Sequence, residues 1–184
     1  MLFVALPSAS VNDGIDGLLA SHPVGSRLGR AAVPRANRHQ SLSDRYVDTP
    51  DIRELMARAG ESVRAQALTL TFERLCSGPR NPGSHLWLVR PAQKSSRQLD
   101  NAIRAINAAL IAQGLPPGGG HSPHVTLSYS AALALPSDES IAPIEWSIDT
   151  IELVVGGGNP YRYETLDSWR LAPEAPRLVQ SSLF

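Results

Sequence analysis

Apolar residues recur along this chain with two periods, and segments of the two kinds alternate. Leu2, Val4 and Leu6 interleave with Phe3 and Ala5, a strand that is apolar on both faces. Ser10 offers an N-cap to a helix carrying Val11, Ile15, Leu18 and Leu19 on one side. Residues 21–38, rich in Gly, Pro and Arg, read as a loop, and 39–46 as a strand. Thr49 caps a second helix, with Pro50 at its first position and Asp51 in its first turn. Its apolar face repeats through Ile52, Leu55, Met56, Ala59 and Val63.

Leu68, Leu70 and Phe72 then alternate with Thr69, Thr71 and Glu73, the pattern of a half-buried strand. Residues 77–84 read as a turn and 86–89 as a returning strand. Leu99, Ala102, Ile103, Ile106 and Leu110 line a third helix that Gly114 stops. After Gly118, Gly119 and Gly120, strands are predicted at 122–128, 146–155 and 161–171, the last two joined by a turn at 156–160. Residues 173–184 read as a frayed tail. The pattern predicts an α+β fold with mostly antiparallel sheets.

Composition narrows the class. With 184 residues, 42% apolar and 18% charged, the chain is globular, one domain or two small lobes. No apolar run approaches the ~20 residues of a membrane span. The opening Met-Leu-Phe-Val-Ala-Leu-Pro lacks the basic start of a leader, so a cytoplasmic address is expected. Cys76 is the single cysteine, which rules out a disulfide framework and a multi-cysteine zinc site.

Net charge is zero, but its distribution is uneven. Residues 1–130 hold 14 basic against 9 acidic side chains, and 131–184 hold 3 against 8. Arg27, Arg30, Arg35, Arg38 and Arg45 crowd one segment opposed only by Asp44. Guanidinium forks suit phosphate, so a local anion site is expected on a protein that is not basic overall.

Two segments echo each other. His39-Gln40-Ser41-Leu42-Ser43 and His124-Val125-Thr126-Leu127-Ser128 share the pattern His-x-Ser/Thr-Leu-Ser, 85 residues apart. With this chain's composition, two copies of the four-residue core arise by chance roughly three times in a thousand, so the repeat is read as meaningful. On a strand, alternate side chains face one way. His39, Ser41 and Ser43 therefore share one face, and His124, Thr126 and Ser128 another, with each leucine anchoring the back. Two converging imidazoles can divide general acid–base work near neutral pH. The hydroxyls can donate to phosphate oxygens where charge builds in the transition state. Such chemistry needs no metal and no cofactor.

At these residues the chain resembles the two-histidine (2H) phosphoesterase superfamily, marked by paired His-x-Thr/Ser tetrads. Within it, the chain is most similar to the bacterial RNA 2′,3′-cyclic phosphodiesterases, historically called 2′-5′ RNA ligases. The likeness spans about residues 2–171, including Leu2 to Leu6, the approach Val33 to His39, and Ile144 to Val154. It implies one bilobal domain over 1–172, each lobe a small, mostly antiparallel sheet backed by helices, around a central cleft. It implies His39 as general acid to the leaving 3′-oxygen, His124 as general base for water, and Ser41 and Thr126 as phosphate-binding residues. Arg35, Arg38 and Tyr129 are expected to contact substrate. The implied partners are RNA 3′ ends or small cyclic nucleotides, without a membrane or an obligate protein partner, on a monomer. The chain departs from the family pattern in two places. Gln40 stands where an apolar residue is usual, and Ser128 and Tyr129 stand where many members carry an arginine.

The remaining candidates are weaker. His121 and His124 have a His-x-x-His spacing but no nearby carboxylate or cysteine in sequence, so a metal site is disfavoured. His22 and His85 read as surface or strand-edge residues, Cys76 as core filler, and Tyr163, like Tyr129, as core, rim or base-stacking. Neither glycine triplet is a P-loop. The loops at 22–38 and 77–84 are expected to frame the cleft. The alternatives are a nucleotide- or RNA-binding module with little turnover, and 2′-5′ RNA ligation.

Overall fold

The computed structural model describes residues 1–23 and 25–174. In chain order its elements are β1 (Leu2–Ala5), α1 (Ala9–Ser21), α2 (Gly25–Leu28), β2 (Gln40–Ser41), α3 (Pro50–Ser62), β3 (Leu68–Asn81), β4 (Ser84–Arg90), α4 (Arg97–Ala112), β5 (Val125–Ala131), β6 (Glu139–Ile148), β7 (Thr150–Gly157) and β8 (Arg162–Arg170). They form two four-stranded antiparallel sheets, ordered β2-β1-β7-β8 and β5-β4-β3-β6. The three longer helices α1, α3 and α4 back them, the α+β architecture that the sequence predicts. Each tetrad lies on an edge strand, β2 in one sheet and β5 in the other. Residues 175–184 of the expected tail, and the side chain of Arg27, lie outside the described residues.

The two-faced pattern of β1 has a direct physical meaning. Phe3 and Ala5 enter the main core with Met56, Leu70, Phe72, Ile106, Leu127, Ile151 and Leu153. Leu2 and Val4 face the other way, packing with Val154 against Leu6 and Tyr163. Thr49 caps α3 by accepting the Ile52 N–H at 3.3 Å, and Pro50 opens the helix, as its sequence predicts. Ser96 caps α4 in the same way, and Gly114 leaves the helix at φ +78°.

Several boundaries differ from expectation. The cap of α1 is Ser8, whose extended backbone frees its Oγ to accept the Val11 N–H, while Ser10 lies inside the helix. The strand expected over 39–46 shrinks to two residues, because Ser43 Oγ accepts the Phe3 N–H at 2.9 Å and replaces the backbone ladder there. The loop at 21–38 holds α2 and 3-10 turns at Gly29–Ala31 and Arg35–Asn37.

Residues 77–81 continue β3 instead of turning. Beyond Leu75 that strand pairs only with β4, so Pro79 is tolerated at an open edge, and the turn is Pro82-Gly83 with Gly83 at φ +74°. The run 146–155 is two strands in different sheets. β6 ends at Ile148, and Asp149 turns the chain while its carbonyl accepts the Leu171 N–H. Apolar alternation continues through this switch, so periodicity could not reveal it.

Candidate active site

Short local contacts set each histidine. His39 follows the 3-10 turn Arg35–Asn37 and is only 9% exposed. Its Nδ1 donates to the Asn37 carbonyl at 2.9 Å, and its ring meets Tyr163 edge to face at 5.0 Å. His124 precedes β5, and its Nδ1 donates to the Ser122 carbonyl, also at 2.9 Å. Both imidazoles thus use the carbonyl two residues earlier, and in each Nε2 is the nitrogen left to exchange a proton. This duplicated device lies outside the His-x-Ser/Thr-Leu pattern itself, and only backbone geometry reveals it.

The two histidine segments are tied together across the sheets. Gln40, next to His39, is fully buried and its Oε1 accepts the His124 N–H at 2.7 Å. Burial holds the His39 imidazole below its ordinary value, opposed by its bond to Asn37 and reinforced by the nearby charges of Arg45 and His124. Burial thus favours the neutral form of His39 in the free protein. Ser41 lies beside His39 on the cleft wall, while Thr126 is buried two residues beyond His124.

Neither third hydroxyl extends its row. Ser43 is buried and bonded to the β1 backbone, and Ser128 is buried with its Oγ accepting the Ser130 N–H. The pairing of β4 with β5 shifts on both sides of Trp87, so strict alternation stops after Thr126 and Tyr129 turns to the cleft.

The cleft holds about 620 Å³ and is bordered by Arg30 to Pro34, Asn37, His39, Ser41, Arg45, Arg80, Tyr129, Ser130, Tyr161 and Tyr163. Among these described lining residues are three arginines and no carboxylate, an environment suited to an anion. Arg45 donates to the hydroxyls of Tyr161 (3.2 Å) and Tyr163 (2.8 Å). Burial pushes the Tyr163 phenol up to about 12, so it stays protonated at neutral pH. Arg80 sits 4.5 Å over the Tyr129 ring. Tyr161 packs so close to β7 that a Cβ on Gly156 would stand 1.7 Å from its hydroxyl oxygen, so only glycine admits it.

Arg35 and Arg38 are not brought to this cleft. Arg35 binds Asp13 and Asp16, and the buried Arg38 binds Asp16 and Asn12, so both brace α1. The anion-facing charge comes from Arg30, Arg45 and Arg80 instead. Arg30 and Arg45 belong to the basic run, and Arg80 to the hairpin expected to frame the cleft. Asn37 is the residue that sequence reasoning missed. Its carbonyl anchors His39, while its side chain donates to the Tyr161 carbonyl (2.8 Å) and accepts the Tyr163 N–H (3.3 Å). No spacing rule marks it. His121 pairs with Asp44 at 3.2 Å, and among the described residues no group of three or more His, Cys, Asp or Glu could hold a metal.

No protein-family model and no curated protein matches the chain. Solved structures do. LigT of E. coli in its apo form superposes with a TM-score of 0.66 at 20% identity, covering 93% of this chain and 96% of that one. A protein described as a phosphoesterase gives 0.69 at 21% identity, covering 93% and 97%. TT0787 of Thermus thermophilus gives 0.64 at 16% identity, covering 95% and 98%. LigT has also been crystallised with 3′-AMP and with phosphate. At these identities the likeness speaks for architecture alone, and it shows that this chain has a LigT-like fold.

Proposed function

We propose that this chain is a phosphodiesterase that opens 2′,3′-cyclic phosphate ends of RNA or nucleotides to 2′-phosphomonoesters by two-histidine acid–base catalysis. The duplicated anchoring carries this reading: an imidazole next to an edge strand of each sheet, each fixed through Nδ1, with His39 lining a cleft whose described lining holds three arginines and no carboxylate. A neutral imidazole takes a proton from water as its oxygen attacks phosphorus. The P–O3′ bond breaks, and the protonated imidazole returns a proton to the departing 3′-oxygen. The Ser41 and Thr126 hydroxyls donate to the non-bridging oxygens as charge builds there.

The low imidazole value of His39 fits the base in this direction and leaves His124 as the acid, reversing the roles implied by the resemblance. With a 5′-hydroxyl in place of water as the nucleophile on the cyclic phosphate, the same steps break the P–O3′ bond and give a 2′-5′ linkage. The test is incubation with a 2′,3′-cyclic nucleotide in EDTA, followed by end-group mapping of the product. A 2′-monoester is expected, with turnover reduced at least ~100-fold in His39→Ala and in His124→Ala. An aryl diester with a good leaving group needs little protonation, so it should restore His124→Ala more than His39→Ala. Binding without turnover in the wild type would refute the enzyme, and equal rescue would refute the roles.

A further inference from the structure

The tetrad position that departs from the family pattern is also the one that joins the two sheets. Gln40 is 0% exposed, and its carboxamide makes three hydrogen bonds. Its Oε1 accepts the His124 N–H at 2.7 Å, and its Nε2 donates to the Ser122 carbonyl at 3.3 Å and to the Ser41 carbonyl at 2.9 Å. The amide orientation follows from chemistry, because an N–H can meet only the oxygen and two carbonyls can meet only the nitrogen.

The Ser122 carbonyl is also the acceptor that holds His124 Nδ1. That carbonyl belongs to a glycine-rich segment that enters no ladder before Val125. Side chains hold the segment instead. Asn107 pairs with both backbone groups of Gly118, Asp44 accepts the Gly119 N–H, and Gln40 takes the end nearest His124.

We propose that Gln40 is a positioning residue that sets the tautomer and orientation of His124. Its carboxamide supplies what a neighbouring strand would supply, one acceptor and one donor, to a loop that lacks a partner. It fixes the His124 backbone from one side and the anchor carbonyl of its imidazole from the other, and so keeps Nε2 as the proton-exchanging nitrogen. An apolar residue here leaves the part-buried His124 N–H without this acceptor. His39 does not depend on this contact, since Asn37, whose carbonyl anchors it, is tied through its own side chain to the Tyr161 carbonyl and the Tyr163 N–H.

The inference rests on the proposed acid–base role of His124 for its consequence, but its test does not. Long-range 1H–15N spectra of the intact protein report the tautomer of each imidazole. In Gln40→Leu, His124 is expected to gain a substantial Nε2–H population while His39 stays in its Nδ1–H form. Turnover of a 2′,3′-cyclic nucleotide should fall ~100-fold in kcat with KM changed less than ~3-fold, as for a misplaced catalytic group. If Gln40→Leu does not fold, the same spectra are taken on Gln40→Glu. This variant keeps the acceptor for the His124 N–H but, when ionised, loses the donor to Ser122, and the same His124 change is expected. An unchanged His124 tautomer in the folded variant overturns the proposal, whether or not the wild type turns over substrate.

Discussion

His39 carries a consequence that needs no substrate to observe. Its imidazole is buried and held below the ordinary value near 6.5, so the unfolded chain binds more proton than the folded one as pH falls. The stability tied to this residue is full above about pH 6.5 and is lost as pH drops towards its lower folded value. Asp16, Asp48 and Asp138, all held low by arginines, lose their share only in more acid solution. Glu152, raised by burial, acts with the opposite sign in any variant and drops out of a comparison. Denaturant midpoints measured between about pH 5 and 7 should therefore fall more steeply for the wild type than for His39→Gln. Parallel curves would mean that His39 is not buried in its neutral form.

At the scale of elements, the packing of α3 on β8 turns on one missing methyl group. A Cβ at Gly60 would lie 2.5 Å from the Trp169 ring, which packs edge to face on Phe3 at 5.9 Å. Gly60→Ala gains about 1 kcal/mol of helix propensity, yet overpacking of this kind costs about 1–3 kcal/mol. Trp169 must shift, so a lower Tm is expected. Gly17 in α1 has nothing within 4 Å of an added Cβ, and Gly17→Ala should raise Tm. Thermal scans of the pair check the contact, and a stabilised Gly60→Ala would disprove it. The same scale shows which boundaries can be read locally. Thr49-Pro50 and Gly114 act through near neighbours and appear in the sequence pattern. The ends of β2, β3 and β6 depend on distant partners, namely Ser43 with Phe3, the open edge beyond Leu75, and the turn at Asp149.

Across the whole molecule, the first sheet draws its strands from both ends of the chain, while 68–148 supplies the second. The two tetrads thus come from opposite halves of the sequence, although the sheets themselves are not halves. A net charge of zero coexists with an arginine-lined cleft because Asp13 and Asp16 neutralise Arg35 and Arg38 outside it. Binding of a short RNA ending in a cyclic phosphate should weaken with salt. Removing Arg80 should reduce the slope of log K against log salt by about 0.7 for each phosphate that its guanidinium neutralises. Arg35→Ala should leave that slope unchanged, and equal slopes in Arg80→Ala and wild type would show that Arg80 touches no phosphate. No helix among the described residues is long and apolar enough to cross a membrane.

By itself, the sequence determined the α+β class, the three longer helices with the Thr49 cap and the Gly114 stop, the two-faced first strand and the paired tetrads. Each of these is written in short-range periodicity or in a repeat, because backbone geometry fixes which neighbours share a face. The tertiary structure decided which arginines face the cleft, how far each strand runs, and what Gln40 does. Arg35 and Arg80 are chemically alike in sequence. They differ only because one meets the carboxylates of α1 and the other the ring of Tyr129. Gln40 read as a departure from the pattern until the fold brought Ser122 and His124, more than 80 residues away, within reach of its carboxamide.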